Sequence, residues 1–187
     1  MYNKVVLDLG DYQKEVWRVD LCEADIVLAR NLSSEMWVNT KKGEWGSGLI
    51  NTKDDPYRAE RIGRMGEIAF SKLTGLPVNI SYIKGGDKCD FTLEDGRTVN
   101  IKTAAKLYEY RAGLIRATTS NLNRVVLHND LYIFSYVDDV AVIIVGYQTR
   151  GNIELRQMSE AKKGSHLNYE IPYSELCSID DLIEVNI

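Results

Sequence analysis

Hydrophobic and polar positions change rhythm several times along the chain, and each change predicts an element. The segment from Lys4 to Leu9 reads as a short strand, and the stretch from about Asp20 to Ser34 reads as helical. From Asn39 to Pro56 the chain is polar and rich in glycine, with GEWGSG inside it, which predicts a loop into the main domain. Between Tyr57 and Thr74, Ile62, Met65, Ala69 and Leu73 recur at helical spacing. Pro56 suits a first turn, Asp54 and Asp55 suit its cap, and Gly75 suits its end. Gly63 and Gly66 each weaken an isolated helix by about 1 kcal/mol relative to alanine, so their presence predicts close approach by another element. Strands follow over Val78 to Ile83 and Cys89 to Leu93, and the Asp95-Gly96 turn leads into Thr98 to Thr103. Leu131 to Val137 and Val140 to Tyr147 form a second hairpin around Asp138-Asp139. Its VAVIIVGY run is apolar throughout, as in a strand covered on both faces. A short helix is expected over Ser159 to Lys163, and IPYSELCSIDDLI reads as a strand entering a docked helical turn. The result is an α/β pattern, with residues 1–56 as an N-terminal extension packed on an α/β domain of residues 57–187.

Composition refines this picture in three ways. A chain of 187 residues can bury a full core as one domain. No apolar run approaches the roughly 20 residues that span a bilayer. The start, MYNKVVLDLG, lacks the basic and then apolar segments of a secretory signal, so a cytoplasmic protein is expected. Cys22, Cys89 and Cys177 are widely spaced and His128 and His166 stand alone, which argues against structural zinc and for reduced, partly buried thiols. The net charge of −4 argues against a nucleic-acid partner, but its distribution argues for one. Arg58 to Leu127 holds twelve Lys/Arg against seven Asp/Glu, and the remainder holds eleven against twenty. Within that basic region, Lys102, Lys106, Arg111, Arg116 and Arg124 face only Glu109 between Ile101 and Leu127. A local positive face is what phosphate binding requires.

Four residues carry candidate chemistry. Glu67 lies on the predicted helix, Asp90 at a strand start, and Asn100 and Lys102 on the strand after the Asp95-Gly96 turn. Alternation puts Asn100 and Lys102 on one face, and the hairpin brings Asp90 to its open end. A helix packed on the sheet would bring Glu67 to the same spot. Oxygen ligands of this kind suit Mg²⁺ or Mn²⁺, and a lysine beside them can orient or deprotonate an attacking water. The bland alternative is a Glu67 salt bridge to Arg64 or Lys72, a turn cap at Asp90, and ordinary outward polarity at Asn100 and Lys102.

The strings GRMGEIAFSKLTGL and KCDFTLEDGRTVNIKTA resemble the restriction-endonuclease-like superfamily, written PD-(D/E)XK. The resemblance runs from about Tyr57 to Tyr147, and the closing IPYSEL is familiar from phage-encoded and bacterial members. It implies a central mixed β-sheet flanked by helices, with Glu67 as the helix glutamate, Asp90 as the strand aspartate and Lys102 as the catalytic lysine. The middle ligand falls on Asn100, where the family has Glu, Asp or Gln. A neutral amide supplies no charge there, and Glu67 would compensate as a direct ligand. The implied activity is Mg²⁺-dependent (or Mn²⁺-dependent) endonucleolytic cleavage of DNA by a homodimer, since a double-strand cut needs two sites. Lys106, Arg111, Arg116 and Arg124, with Thr118, Thr119, Ser120 and Asn121, would then contact phosphates. The rival expectation is an inactive nuclease-like protein that binds DNA or a protein partner.

Overall fold

The structure is a computed structural model, and it describes residues 1–10, 12–39, 55, 57–80, 89–107, 112–116, 127–160 and 167–183. Strands β1 (Tyr2–Asp8) and β2 (Gln13–Asp20) form a hairpin, followed by helices α1 (Glu23–Asn39) and α2 (Arg58–Thr74). Next come β3 (Phe91–Thr92), β4 (Thr98–Ala104), β5 (Ala112–Arg116), β6 (Leu131–Asp138) and β7 (Ala141–Thr149). The chain closes with α3 (Arg150–Glu154), β8 (Met158–Glu160), β9 (Leu167–Ile171), a 3₁₀ turn at Tyr173–Glu175 and α4 (Asp180–Ile183).

Six strands form one mixed sheet in the order β1-β2-β7-β6-β4-β3, in which β4 and β6 run parallel and the other pairs run antiparallel. A three-stranded sheet, β5-β9-β8, makes a second layer. The protein is thus an α/β fold with a mixed sheet flanked by helices. Alternate residues of the central strands feed two cores. Leu131 and Ile133 of β6, with Val142 and Ile144 of β7, meet Met65, Ile68, Ala69 and Leu73 of α2, along with α1 and α4. Tyr132, Phe134, Ile143 and Val145 point the other way, onto Ile153 of α3 and onto Tyr169 and Ile171 of β9. The apolar run in β7 is therefore buried on both faces, as its composition implies.

Local chemistry explains the helices. Cys22 occupies the cap of α1, and the Asp25 carboxylate three residues later accepts its N–H at 2.8 Å, half of a capping box. The same carboxylate pairs with Lys72, which joins α1 to α2. Gly75 ends α2 in the left-handed region, φ 76°, with its N–H bonded to Ser71 at 2.8 Å. Tyr57 is the N-cap residue of α2, and the Asp55 carboxylate just before it takes a backbone hydrogen bond from Tyr57 and the Arg61 guanidinium, with Nη1 to Oδ1 at 3.0 Å. Asp54 and Pro56 lie outside the described residues, as does the predicted loop apart from Asn39, which ends α1, and Asp55.

Some expectations need correcting. β2 was not foreseen as a strand, and α1 begins at Glu23 and extends to Asn39. Val78 to Ile80 form no strand, and the rest of that predicted segment lies outside the described residues. Ser159 and Glu160 belong to β8 rather than to a helix, because pairing with Asn168 and Leu167 of β9 outweighs their local helical preference. The remaining residues of that predicted helix are outside the described set. Among the described residues, no helix is long and apolar enough to cross a membrane.

Candidate metal centre

The site is assembled where β3 stops pairing with β4. Only Phe91 and Thr92 pair, with Val99 and Thr98. One residue before them, the Asp90 N–H still donates to the Val99 carbonyl at 2.9 Å. The Asp90 carboxylate then takes the next strand donor, accepting from the Ile101 N–H at 2.6 Å. A side-chain oxygen replaces a backbone carbonyl at the end of the ladder. This holds the acid beside the one residue that separates Asn100 from Lys102.

On β4, Val99 and Ile101 are buried toward the helices, so Asn100 and Lys102 lie on the opposite face. There they stand beside Tyr132 and Phe134, their register partners on β6. The Lys102 side chain is partly buried. Burial pulls its pKa below the ordinary lysine value, while the Asp90 and then the Glu67 carboxylates oppose that shift. No hydrogen bond or ion pair to the ammonium is present among the described residues. The Asn100 Oδ1 atom is buried and accepts no hydrogen bond. An orphaned buried carbonyl costs about 1–3 kcal/mol, a cost that sites built for a cation or a ligand commonly carry.

Glu67 arrives from α2, and Gly66 is the reason it can. A Cβ at Gly66 would lie 1.8 Å from Thr103 Oγ1 and 3.2 Å from Ile101 Cγ2, so the helix backbone rests directly on β4. The expected close approach holds for Gly66. It fails for Gly63, where added carbon meets nothing within 4 Å. Thr103 Oγ1 also accepts the Ser135 hydroxyl at 3.0 Å, which pins the strand under the helix. Glu67 itself accepts from Arg64 Nη1 at 2.6 Å, and the two side chains are 14% and 15% exposed. Lys72, the other partner considered for Glu67, pairs with Asp25.

The Asp90 carboxylate, and after it that of Glu67, acts on the Lys102 amine, although α2 packs on the Ile101 face of β4 and Asn100 and Lys102 lie on the other. The basic residues are less fully placed. Lys106 is exposed just beyond β4. Arg116 ends β5, and only its backbone is described; Arg111, Arg124 and Thr118 to Asn121 lie outside the described residues. Two features were missed from sequence. One is the near-burial of the Arg64–Glu67 pair, whose only sequence signal is i,i+3 spacing. The other is an open pocket of about 190 Å³ beside Asp90, lined by Leu76, Pro77, Asn79, Cys89, Phe91 and Thr92. Its lining joins residues that are distant in the chain, which spacing alone does not reveal.

Among the described residues no group of three His, Cys, Asp or Glu side chains could hold a metal ion. The available donors are two carboxylates and one amide oxygen, a hard oxygen set. It fits Mg²⁺ or Mn²⁺, which keep several waters and need few protein ligands. No protein-family model, curated protein or solved structure matches the chain. The likeness to restriction-endonuclease-like proteins therefore rests on the sequence strings alone.

Proposed function

We propose that this protein is a divalent-metal-dependent endodeoxyribonuclease of the restriction-endonuclease-like type, cytoplasmic and acting as a homodimer on DNA. One observation carries the reading: a partly buried lysine, on which the Asp90 and Glu67 carboxylates act, lies two residues from an unpartnered Asn100 Oδ1 on one strand face. Asp90, Glu67 and Asn100 would hold Mg²⁺ or Mn²⁺, which when bound supplies positive charge to phosphate oxygens and acidifies water. Asp90 is fixed for this by the Ile101 N–H, and Glu67 by the seating of Gly66. The Lys102 amine, partly withdrawn from water, orients the attacking water and stabilises negative charge on the phosphate. Lys106, Arg111, Arg116 and Arg124 would bind the flanking phosphates.

The test is incubation with supercoiled, linear and single-stranded DNA, with Mg²⁺, Mn²⁺ or EDTA. Cleavage is expected with metal only. Lys102→Ala should lower the rate by about 10²–10⁴ while DNA affinity stays within a few-fold. Equal turnover by the variant would remove Lys102 from the site. A second reading, DNA binding without cleavage, is favoured by the neutral Asn100. Salt-sensitive DNA binding with no metal-dependent cleavage would select it; absence of both would leave a protein-interaction role.

A further inference from the structure

Arg64 is the charged group of this neighbourhood that the proposed reaction leaves without a task. It precedes Glu67 by three positions on α2, so the two side chains share a helix face. Its Nη1 donates to Glu67 Oε2, and both side chains are largely shielded from water. Solvent screens such a pair far less than a surface pair. A divalent ion that needs Glu67 must therefore compete with a permanent positive charge already at hydrogen-bond distance. Asn100 offers no compensating charge. Among the described residues, the two site carboxylates are offset by Arg64 and, when protonated, by Lys102. Glu60 shares the face of Arg64, but it lies about 10 Å farther along the helix axis than Glu67 and is not counted.

We propose that Arg64 is a gate on Glu67, whose guanidinium neutralises the carboxylate in the free protein and transfers to a phosphate of the nucleic-acid backbone on binding. The inference rests on the nuclease reading and adds regulation to the same site. A guanidinium is suited to the exchange, because its planar fork matches carboxylate and phosphate equally well. The arriving phosphodiester also brings the negative charge that the site lacks. Metal ion and nucleic acid then bind with mutual reinforcement, each raising the affinity for the other by the same factor.

The experiment measures Mn²⁺ binding to the full chain by electron paramagnetic resonance of the free ion. It is run alone and with a non-cleavable phosphorothioate duplex, after subtraction of ion bound by the duplex itself. Wild type should bind Mn²⁺ at least about ten-fold more tightly with the duplex, within the usual range of coupling between sites. Arg64→Gln should tighten binding to the free protein about ten-fold, the scale of one charged hydrogen bond lifted from the ligand carboxylate. It should also shrink the duplex effect. Arg64→Lys, which keeps the charge, should stay near wild type. Misfolding cannot produce a tighter site, and thermal midpoints confirm that each variant is folded. Unchanged or weaker Mn²⁺ binding by folded Arg64→Gln overturns the gate, and Asp90-dependent cleavage in that case leaves the nuclease reading standing. Mn²⁺ binding that is absent in every condition, or indifferent to Asp90→Ala, overturns both.

Discussion

Asn100 supplies an oxygen where a carboxylate would supply an oxygen and a charge. Its Oδ1 is already buried and unpartnered, so on the proposed reading a donor oxygen is in place and only the charge is missing. Asn100→Asp changes that charge with almost no change in shape. The direct Coulomb gain is heavily screened, and a net gain of about 1–3 kcal/mol is expected on the scale of charge-assisted contacts. Calorimetry should therefore show Mg²⁺ or Mn²⁺ bound roughly 5- to 150-fold more tightly. An unchanged affinity would mean that position 100 does not face the ion. Much of this residue-level picture was legible in the sequence, because period-2 alternation fixes which β4 residues share a face. The state of Glu67 was not. An Arg and a Glu three apart read equally well as a solvated pair, and only packing shows that both are about 15% exposed.

At the scale of elements, α2 and β4 are coupled through a glycine. Gly66→Ala gains about 1 kcal/mol of helix propensity, but its new carbon would overlap the Thr103 hydroxyl. Overpacking of this kind costs typically 1–3 kcal/mol, so a net loss of stability is expected in urea unfolding. Displacement of Glu67 should also lower any cleavage rate. Gly63→Ala, with open space around its Cβ, should instead stabilise by up to about 1 kcal/mol. If the two alanines behave alike, the helix is not seated as described. The sequence made the strongly patterned elements legible: the α2 stripe, the Asp95-Gly96 turn and the apolar β6–β7 hairpin. β2 escaped because its residues serve two cores at once, Val16 on one side and Trp17 and Val19 on the other, among charged neighbours. β8 escaped because partner strand β9, not local composition, makes it a strand.

Across the whole molecule, the first strand and the last helix are tied together. Asp180 accepts from Lys4 Nζ and from Trp17 Nε1, each at 2.8 Å, and from Ser178 Oγ at 3.0 Å. Burial pushes its carboxyl pKa up, but these donors outweigh that and hold it below the usual aspartate value. A depressed folded-state pKa means stability that is present above the ordinary carboxylate range and is lost as pH falls through the folded value. Thermal midpoints followed downward from pH 7 should therefore fall less steeply in Asp180→Asn than in wild type, from a lower starting point. Parallel curves would show that the tie contributes nothing ionic. The sheet order carries a further consequence, one of time rather than energy. The hairpin of β1 and β2 is synthesised before the strands it joins, and β2 finds its second neighbour only in β7, where Val19 pairs with Val142. Until the ribosome has delivered β7, β2 is paired only with β1 and its other edge stays open. The β1–β2 hairpin thus takes its place in the sheet late, and the nascent protein must carry that unfinished edge while everything from α1 to β6 is made.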